Sequence, residues 1–355
     1  MKISVLLPSL ARKALGGHKV VYEYCNYMVQ KDDVFVTLYF FPGDTLKKYI
    51  NSNELRKHIL NLYLKFGNPV KWFELNSKIR LRIVTKEKEM DDADIVIATG
   101  IETLQPVLSL SKQKGKKIYF IQDFENWKFD DQHVLSTYTN ETLNIVVSKW
   151  LFNIVKKQVG VEPRLISNNI DTRVFYPMKT MRMEHSVIFH YRSSPHKGGK
   201  YAIRVIEKLK EKYPDLSVAV VSSQERPDSL PGWCNFYENI PTQKVAELNN
   251  RYQVFMCTSI DEGFGLPGLE AMACGCALVS TSYKGVLEYA IDGKNALLSP
   301  PRDIDAMVRN VEKLFEDVNL RNMIAENGIK TGHERSLEKS AQKFEQVLRE
   351  TLSEV

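Results

Sequence analysis

Two glutamates frame the most chemically loaded stretch of the chain. Glu262 and Glu270 flank Gly263-Phe264-Gly265-Leu266-Pro267-Gly268-Leu269. Ionised carboxylates only accept hydrogen bonds, so a spaced pair suits the vicinal hydroxyls of a sugar ring and a ribose. The stretch follows an apolar run, Val254–Cys257, that reads as a buried strand. Pro267 suits the first turn of a helix, Leu269, Met272 and Ala273 give it an apolar face, and Gly275 is a natural stop. A strand, a glycine turn and a helix start present free N–H groups and a positive dipole end to a phosphate or sugar oxygen. The plainer alternative is a turn with two solvated glutamates.

Further candidates lie at other strand ends. In His190-Tyr191-Arg192-Ser193-Ser194-Pro195-His196-Lys197-Gly198-Gly199, Arg192 offers a planar fork and Lys197 a point charge, a pair suited to clamping a diphosphate. The alternative is two solvated cations, with His196 a bystander. Gly16-Gly17 follows the first strand and lets backbone N–H groups approach a ligand. Asp123 and Glu125, in Ile121–Trp127, are candidates for sugar or acceptor contact, with a helix-capping Asp as the alternative. Asp92-Ala93-Asp94 fits an Asp-x-Asp metal pattern but reads as the solvated end of a strand. No His/Cys cluster has zinc spacing, so no metal is expected.

These groups need a scaffold that presents strand ends. Apolar runs alternate with amphipathic stretches, which predicts an α/β chain with parallel sheets. The first half shows strands at Ile3–Leu7, Val34–Phe40, Ile95–Ala98, Lys117–Ile121 and Asn144–Val147. Helices are expected at Gly17–Gln30, Glu102–Lys114 and Lys149–Val159, the last headed by Ser148 as N-cap. Thr45–Thr85 is irregular. The second half repeats the rhythm with strands at Val187–Tyr191, Ser217–Val221, Val254–Cys257 and Ala277–Ser280. Its helices fall near Lys200–Lys212, Gln243–Asn249, Asp303–Asp317 and Asn319–Thr331, and Leu337–Leu352 is a final amphipathic helix. No short repeat is present. Two Rossmann-like units meeting near Asn168–Lys179 account for the pattern.

At 355 residues, 43% hydrophobic and 26% charged, the chain has room for two cores. No apolar run reaches membrane-spanning length, and Ile3–Leu7, cut short by Pro8, reads as a strand rather than a signal-peptide core. Five scattered cysteines fit a reduced, cytoplasmic protein. Residues 1–170 carry 25 Lys and Arg against 18 Asp and Glu, or +7, and the remainder 24 against 25, or −1. No nucleic-acid motif accompanies the basic half, so nucleic acid is not an expected partner. An anionic membrane or a phosphate-bearing acceptor fits the asymmetry.

The run EGFGLPGLEAMACG resembles the signature of the retaining family-4 glycosyltransferases of the GT-B fold, bacterial surface-polysaccharide type. The resemblance continues through Ala277-Leu278-Val279-Ser280, Lys284–Glu288 and Asp292–Leu298, and is strong from about Tyr237 to Pro301. It implies two Rossmann-like domains facing each other across a cleft: residues 1–170 on the acceptor side, joined by a crossing helix 336–355, and residues 171–335 on the donor side. It implies a nucleoside-diphosphate sugar as donor and a glycan or lipid-linked acceptor hydroxyl, with no cofactor and no metal. Glu270 would grip the ribose. Glu262 and the Gly263-Phe264-Gly265-Leu266 turn would hold the sugar, with Gly16 and Gly17 facing the donor. Arg192 and Lys197 would neutralise the departing diphosphate. The acceptor would attack on the face the diphosphate leaves, giving retention. Val147–Trp150 and Asn168–Pro177 resemble architectural landmarks, the second an interdomain linker.

The sequence departs from the family pattern in two places. Tyr191 replaces a usual glycine, and Gln122-Asp123 replaces a histidine common in relatives, in a segment similar to rhamnosyltransferase-like members. Two other readings share the fold: a sugar-nucleotide epimerase or phosphorylase, and a non-catalytic GT-B partner subunit.

Leu46–Val84 combines cations, among them Lys47, Lys48, Arg56, Lys57 and Lys65, with aromatics such as Tyr49, Tyr63, Phe66, Trp72 and Phe73. Leu55, Ile59, Leu60, Leu62 and Tyr63 add amphipathic character. Two readings follow: a face lying on the inner leaflet of the membrane, making the protein peripheral, or a solvated helix whose apolar face joins the core.

Overall fold

The structure is a computed structural model that describes residues 1–11, 13–42, 46–66 and 70–353. Thr45, at the head of the irregular segment, and the last two residues of the expected helix 336–355 lie outside the described residues. The chain forms two compact units, Met1–Ser167 with Ser340–Val355, and Asn168–Lys339.

The first unit holds β1 (Lys2–Leu7), α1 (Gly16–Met28), β2 (Phe35–Phe40), α2 (Asn53–Phe66), β3 (Arg80–Ile83), β4 (Ile95–Ala98), α3 (Ile101–Leu108), β5 (Lys116–Ile121), α4 (Asp131–Thr137), β6 (Leu143–Val146), α5 (Lys149–Val159) and β7 (Arg164–Leu165). Its seven strands are all parallel, in the order β3-β2-β1-β4-β5-β6-β7. The central strand β4, Ile95–Ala98, is buried throughout, and its neighbours β1 and β5 are buried beyond their first one or two residues. That burial is why they read as unbroken apolar runs rather than as alternating patterns. One expected helix is cut short: the helix predicted to reach Lys114 ends at Leu108, and a separate 3-10 turn covers Lys112–Lys114. Ser148 does precede α5, but its hydroxyl makes no capping bond.

The second unit holds β8 (Ser186–His190), α6 (Gly199–Lys212), β9 (Ser217–Ser222), β10 (Asn235–Glu238), α7 (Thr242–Arg251), β11 (Val254–Cys257), α8 (Leu266–Ala273), β12 (Ala277–Thr281), β13 (Ala296–Ser299), α9 (Ile304–Glu316) and α10 (Val318–Glu334). Six parallel strands run β10-β9-β8-β11-β12-β13. Val187, Val220, Met256 and Val279 from four neighbouring strands share one core with Val205, Leu209, Val311 and Leu314 from α6 and α9. In the linker region Ile170 forms a lone parallel bridge with Ser336.

The last helix, α11 (Leu337–Ser353), joins the first unit from Ser340 onward. There Phe344 packs on Tyr24 at 4.9 Å and Phe120 at 5.3 Å between ring centroids. Arg349 pairs with Asp33 at 2.9 Å, and Lys116 donates to the Thr351 carbonyl at 2.6 Å. The crossing helix expected from the family resemblance is therefore present.

In each unit the strand order reverses once, between β1 and β4 in the first and between β8 and β11 in the second. Open α/β sheets bind ligands at such switch points, beyond the strand C-terminal ends.

Candidate functional site

The second switch point gathers three of the predicted residues. Arg192 and Lys197 lie on the loop leaving β8, and Glu262 on the loop leaving the adjacent β11. Lys197 Nζ stands 3.3 Å from Glu262 Oε2, with both side chains largely shielded from solvent. Glu262 also accepts a hydrogen bond from the Ser259 hydroxyl through Oε1. The Arg192 guanidinium is half-buried, and burial lowers its pKa while the Glu262 carboxylate opposes that drop. An arginine so placed stays charged, and partial desolvation strengthens its field. Burial and the neighbouring Lys197 charge both push the His196 pKa down, which favours a neutral imidazole.

The two loops interlock through their backbones. The His196 carbonyl accepts from Ile260 N at 2.7 Å and Asp261 N at 3.3 Å. Thr258 Oγ1 donates to the Gly198 carbonyl at 3.0 Å. Gly198 has φ +67°, and a Cβ there would lie 1.9 Å from the Thr258 carbonyl oxygen. Only glycine combines that dihedral with so close an approach. Gln224, just beyond β9, fixes the other side: it accepts from Ser193 N at 2.7 Å and donates to Ser193 Oγ at 3.0 Å.

The glycine turn before α8 is braced from below. Gly265 has φ +87°, and a Cβ there would meet the Tyr283 hydroxyl at 1.9 Å. Tyr289 Oη donates to the Gly265 carbonyl at 2.6 Å, and its ring lies 5.4 Å from that of Phe264. Burial holds both phenols well above their ordinary pKa, so they serve as neutral hydroxyls. Leu266 opens α8 and Glu270 lies in its first turns, buried at 6% exposure. Gly275, at φ +75°, follows the helix end as its sequence position indicates. Ser259, Tyr283 and Tyr289 are not singled out by the sequence. The tyrosines flank the Lys284–Glu288 segment that carried the family resemblance, but nothing in their spacing reveals that they support the turn.

In the first unit, Gly16 and Gly17 are the first residues of α1 rather than a loop before it. A Cβ on Gly17 would lie 3.3 Å from Gln122 Nε2, so the glycine admits that side chain against the helix start. Asp123 Oδ1 accepts from the adjoining Phe124 N at 2.9 Å. Glu125 takes the helix-end role: its Oε1 accepts from Ile101 N, the first residue of α3, at 3.1 Å. Burial raises the Glu125 carboxyl to about 7, and the Ile101 bond works against that rise. Asp92 pairs with Lys114 at 2.9 Å, while Asp94 accepts from Lys2 N at 2.6 Å. Both therefore act in the fold. Among the described residues no group of three or more His, Cys, Asp or Glu could hold a metal ion.

Paired parallel sheets, each with one switch point, and a cation–carboxylate cluster over the second define a GT-B protein with a candidate anion and hydroxyl site in its C-terminal unit. Residues 181–331, within the second unit, match the model of the family described as glycosyl transferases group 1. The O-antigen chain mannosyltransferase B of Escherichia coli is 30% identical over 98 residues, 28% of this chain and 25% of that enzyme. The chain spans between 16% and 57% of the first curated relatives it matches. Two solved structures share the fold along essentially the whole chain. The sucrose-phosphate synthase of Thermosynechococcus elongatus has a TM-score of 0.79 at 15% identity, covering 100% of both chains. Anabaena Alr3699/HepE, solved with UDP and glucose, has a TM-score of 0.75 at 17% identity, covering 99% of this chain and 100% of that one.

Proposed function

We propose that the protein is a glycosyltransferase that moves a sugar from a nucleoside-diphosphate sugar to a hydroxyl of a glycan or lipid-linked acceptor, with retention of anomeric configuration and without a metal. The observation that carries this reading is the convergence of Arg192, Lys197 and Glu262 on interlocked loops at the β8/β11 switch point. The match of residues 181–331 to the glycosyl transferases group 1 model supports it. The complex of HepE with UDP and glucose supports a nucleotide-sugar donor, and the likeness to an O-antigen chain mannosyltransferase supports a glycan acceptor.

In this mechanism Glu270 accepts hydrogen bonds from the ribose, and Glu262 with the Gly263-Phe264-Gly265-Leu266 turn holds the donor sugar. The N-terminus of α8 and the cations Arg192 and Lys197 take up the charge that builds as the bond from the anomeric carbon to the diphosphate oxygen breaks. Lys197 then exchanges part of its attraction to Glu262 for the more highly charged diphosphate. The acceptor oxygen bonds to the anomeric carbon on the same face, and its proton passes to the departing diphosphate oxygen. The first unit supplies the acceptor side, with Asp123 and Glu125 as candidate hydroxyl contacts.

The test incubates the purified chain with a panel of nucleoside-diphosphate sugars, with and without hydroxyl acceptors. Acceptor-dependent release of nucleoside diphosphate is expected, with the product's anomeric configuration read by NMR. Interconverted donor with no release would favour an epimerase. Donor binding without turnover across the panel would favour a non-catalytic subunit.

A further inference from the structure

Helix α2 turns most of its apolar residues outward rather than into the core. Leu60 and Arg56 are buried, whereas Leu55, Ile59, Leu62, Tyr63 and Phe66 are exposed, Leu62 at 57% and Phe66 at 77%. At the helical repeat these five fall within a sector of about 100°. Such a stripe of large apolar side chains on a 14-residue helix marks an interaction surface rather than scattered surface residues. Aromatic and basic groups flank it. Tyr49, just before the helix, is 79% exposed with Lys48 over its ring, and Lys65 lies over the Phe66 ring. No acidic residue occurs from Leu55 through Phe73. The one acid in the helix, Glu54, is taken up by Lys57.

We propose that the outer face of α2 docks on an anionic lipid bilayer, with the stripe seated at the headgroup–acyl boundary and Lys47, Lys48 and Lys65 toward lipid phosphates. Charge complementarity selects this occupant: a protein groove would require only the apolar stripe, whereas an aromatic–lysine border, with the nearby acids Glu54 and Glu89 both paired to Lys57, suits an anionic interface. No described helix is long and apolar enough to cross a membrane, so α2 lies on the surface.

The test is co-sedimentation of the full chain with phosphatidylcholine vesicles carrying rising fractions of phosphatidylglycerol, at low and high salt, with sedimentation equilibrium of the lipid-free chain in parallel. The wild type should bind more tightly as the anionic fraction rises and less tightly in salt. The double variant Leu62→Gln/Phe66→Gln should bind at least about tenfold more weakly, and Lys65→Glu severalfold more weakly at low salt. The substituted side chains are exposed, and circular dichroism checks the fold. As an independent readout, a polarity-sensitive dye on Leu62→Cys should shift to the blue on anionic vesicles. Absence of wild-type binding at low salt, indifference to the anionic fraction, or equal binding by the double variant would overturn the proposal. So would a lipid-free dimer lost in the double variant, which would assign the face to a second copy of the chain. None of these readouts requires sugar transfer, so failure here and failure of the proposed reaction are separate results.

Discussion

Lys197 Nζ lies 3.3 Å from Glu262 Oε2 because β8 and β11 are neighbours in the sheet, although β9 and β10 separate them in the chain. The pair brings a cation from the β8 loop onto the carboxylate of the β11 loop. Arg192, on the first of these loops, feels the same carboxylate. If these cations stabilise a departing diphosphate, Arg192→Ala and Lys197→Ala should each lower turnover by about a hundredfold or more, the scale for losing one strong charge-stabilising donor. Both sit on loops, so melting temperature should change little. Nucleoside-diphosphate release checks the first point and thermal denaturation the second. Near-wild-type turnover in both variants would remove the clamp.

The Gly265 turn depends on the tyrosines beneath it. Gly265→Ala must fit a methyl group against the Tyr283 hydroxyl at φ +87°. It should cost at least about 2 kcal/mol of stability. Tyr289→Phe removes the shorter of two hydrogen bonds to the Gly265 carbonyl and leaves Gly268 N at 3.2 Å, a loss of about 0.5–1.5 kcal/mol. Denaturant unfolding measures both. A donor KM raised well beyond the change in kcat would tie the turn to donor binding; unchanged kinetics would make it a purely structural brace.

Glu125 should give the chain a pH-dependent stability. Its carboxyl is raised to about 7 from an ordinary 4.5, so within that window the folded chain holds a proton that the unfolded chain has lost. Stability from this group therefore falls as pH rises through the window and levels off above it. Glu125→Gln, whose amide oxygen can still accept from Ile101 N, should abolish that slope. Relative to wild type it should gain stability toward pH 8, by at most about 3 kcal/mol. Melting temperatures across the range check this, and parallel curves for the two proteins would rule it out.

Transfer should persist in excess EDTA, since the proposed charge work falls to Arg192, Lys197 and the start of α8. The assay is product formation before and after chelation. Activity lost to EDTA and restored by Mg²⁺ or Mn²⁺ would require a metal in the mechanism.

The alternating α/β architecture, the glycine–carboxylate turn with its helix, and the final amphipathic helix are legible in the residues alone. Each is written in local periodicity or in the order of special residues, which report how one segment is buried. Partnership between segments is not written there. β10, an edge strand with no fully buried residue, offers no apolar run to detect, and the four-residue β3 is hidden among charged residues. The periodicity of α2 reveals amphipathic character, but only packing decides that Arg56 and Leu60 turn inward while Leu62 and Phe66 turn out. Likewise Asp123 and Glu125 are equally good caps by residue type. Tertiary structure alone sets the Glu125 carboxylate at the N-terminus of α3, because that helix starts at the end of β4, the strand beside β5. The cluster of Lys197 with Glu262 has the same origin: strand order is settled by long-range burial, and it is strand order that makes neighbours of two distant loops.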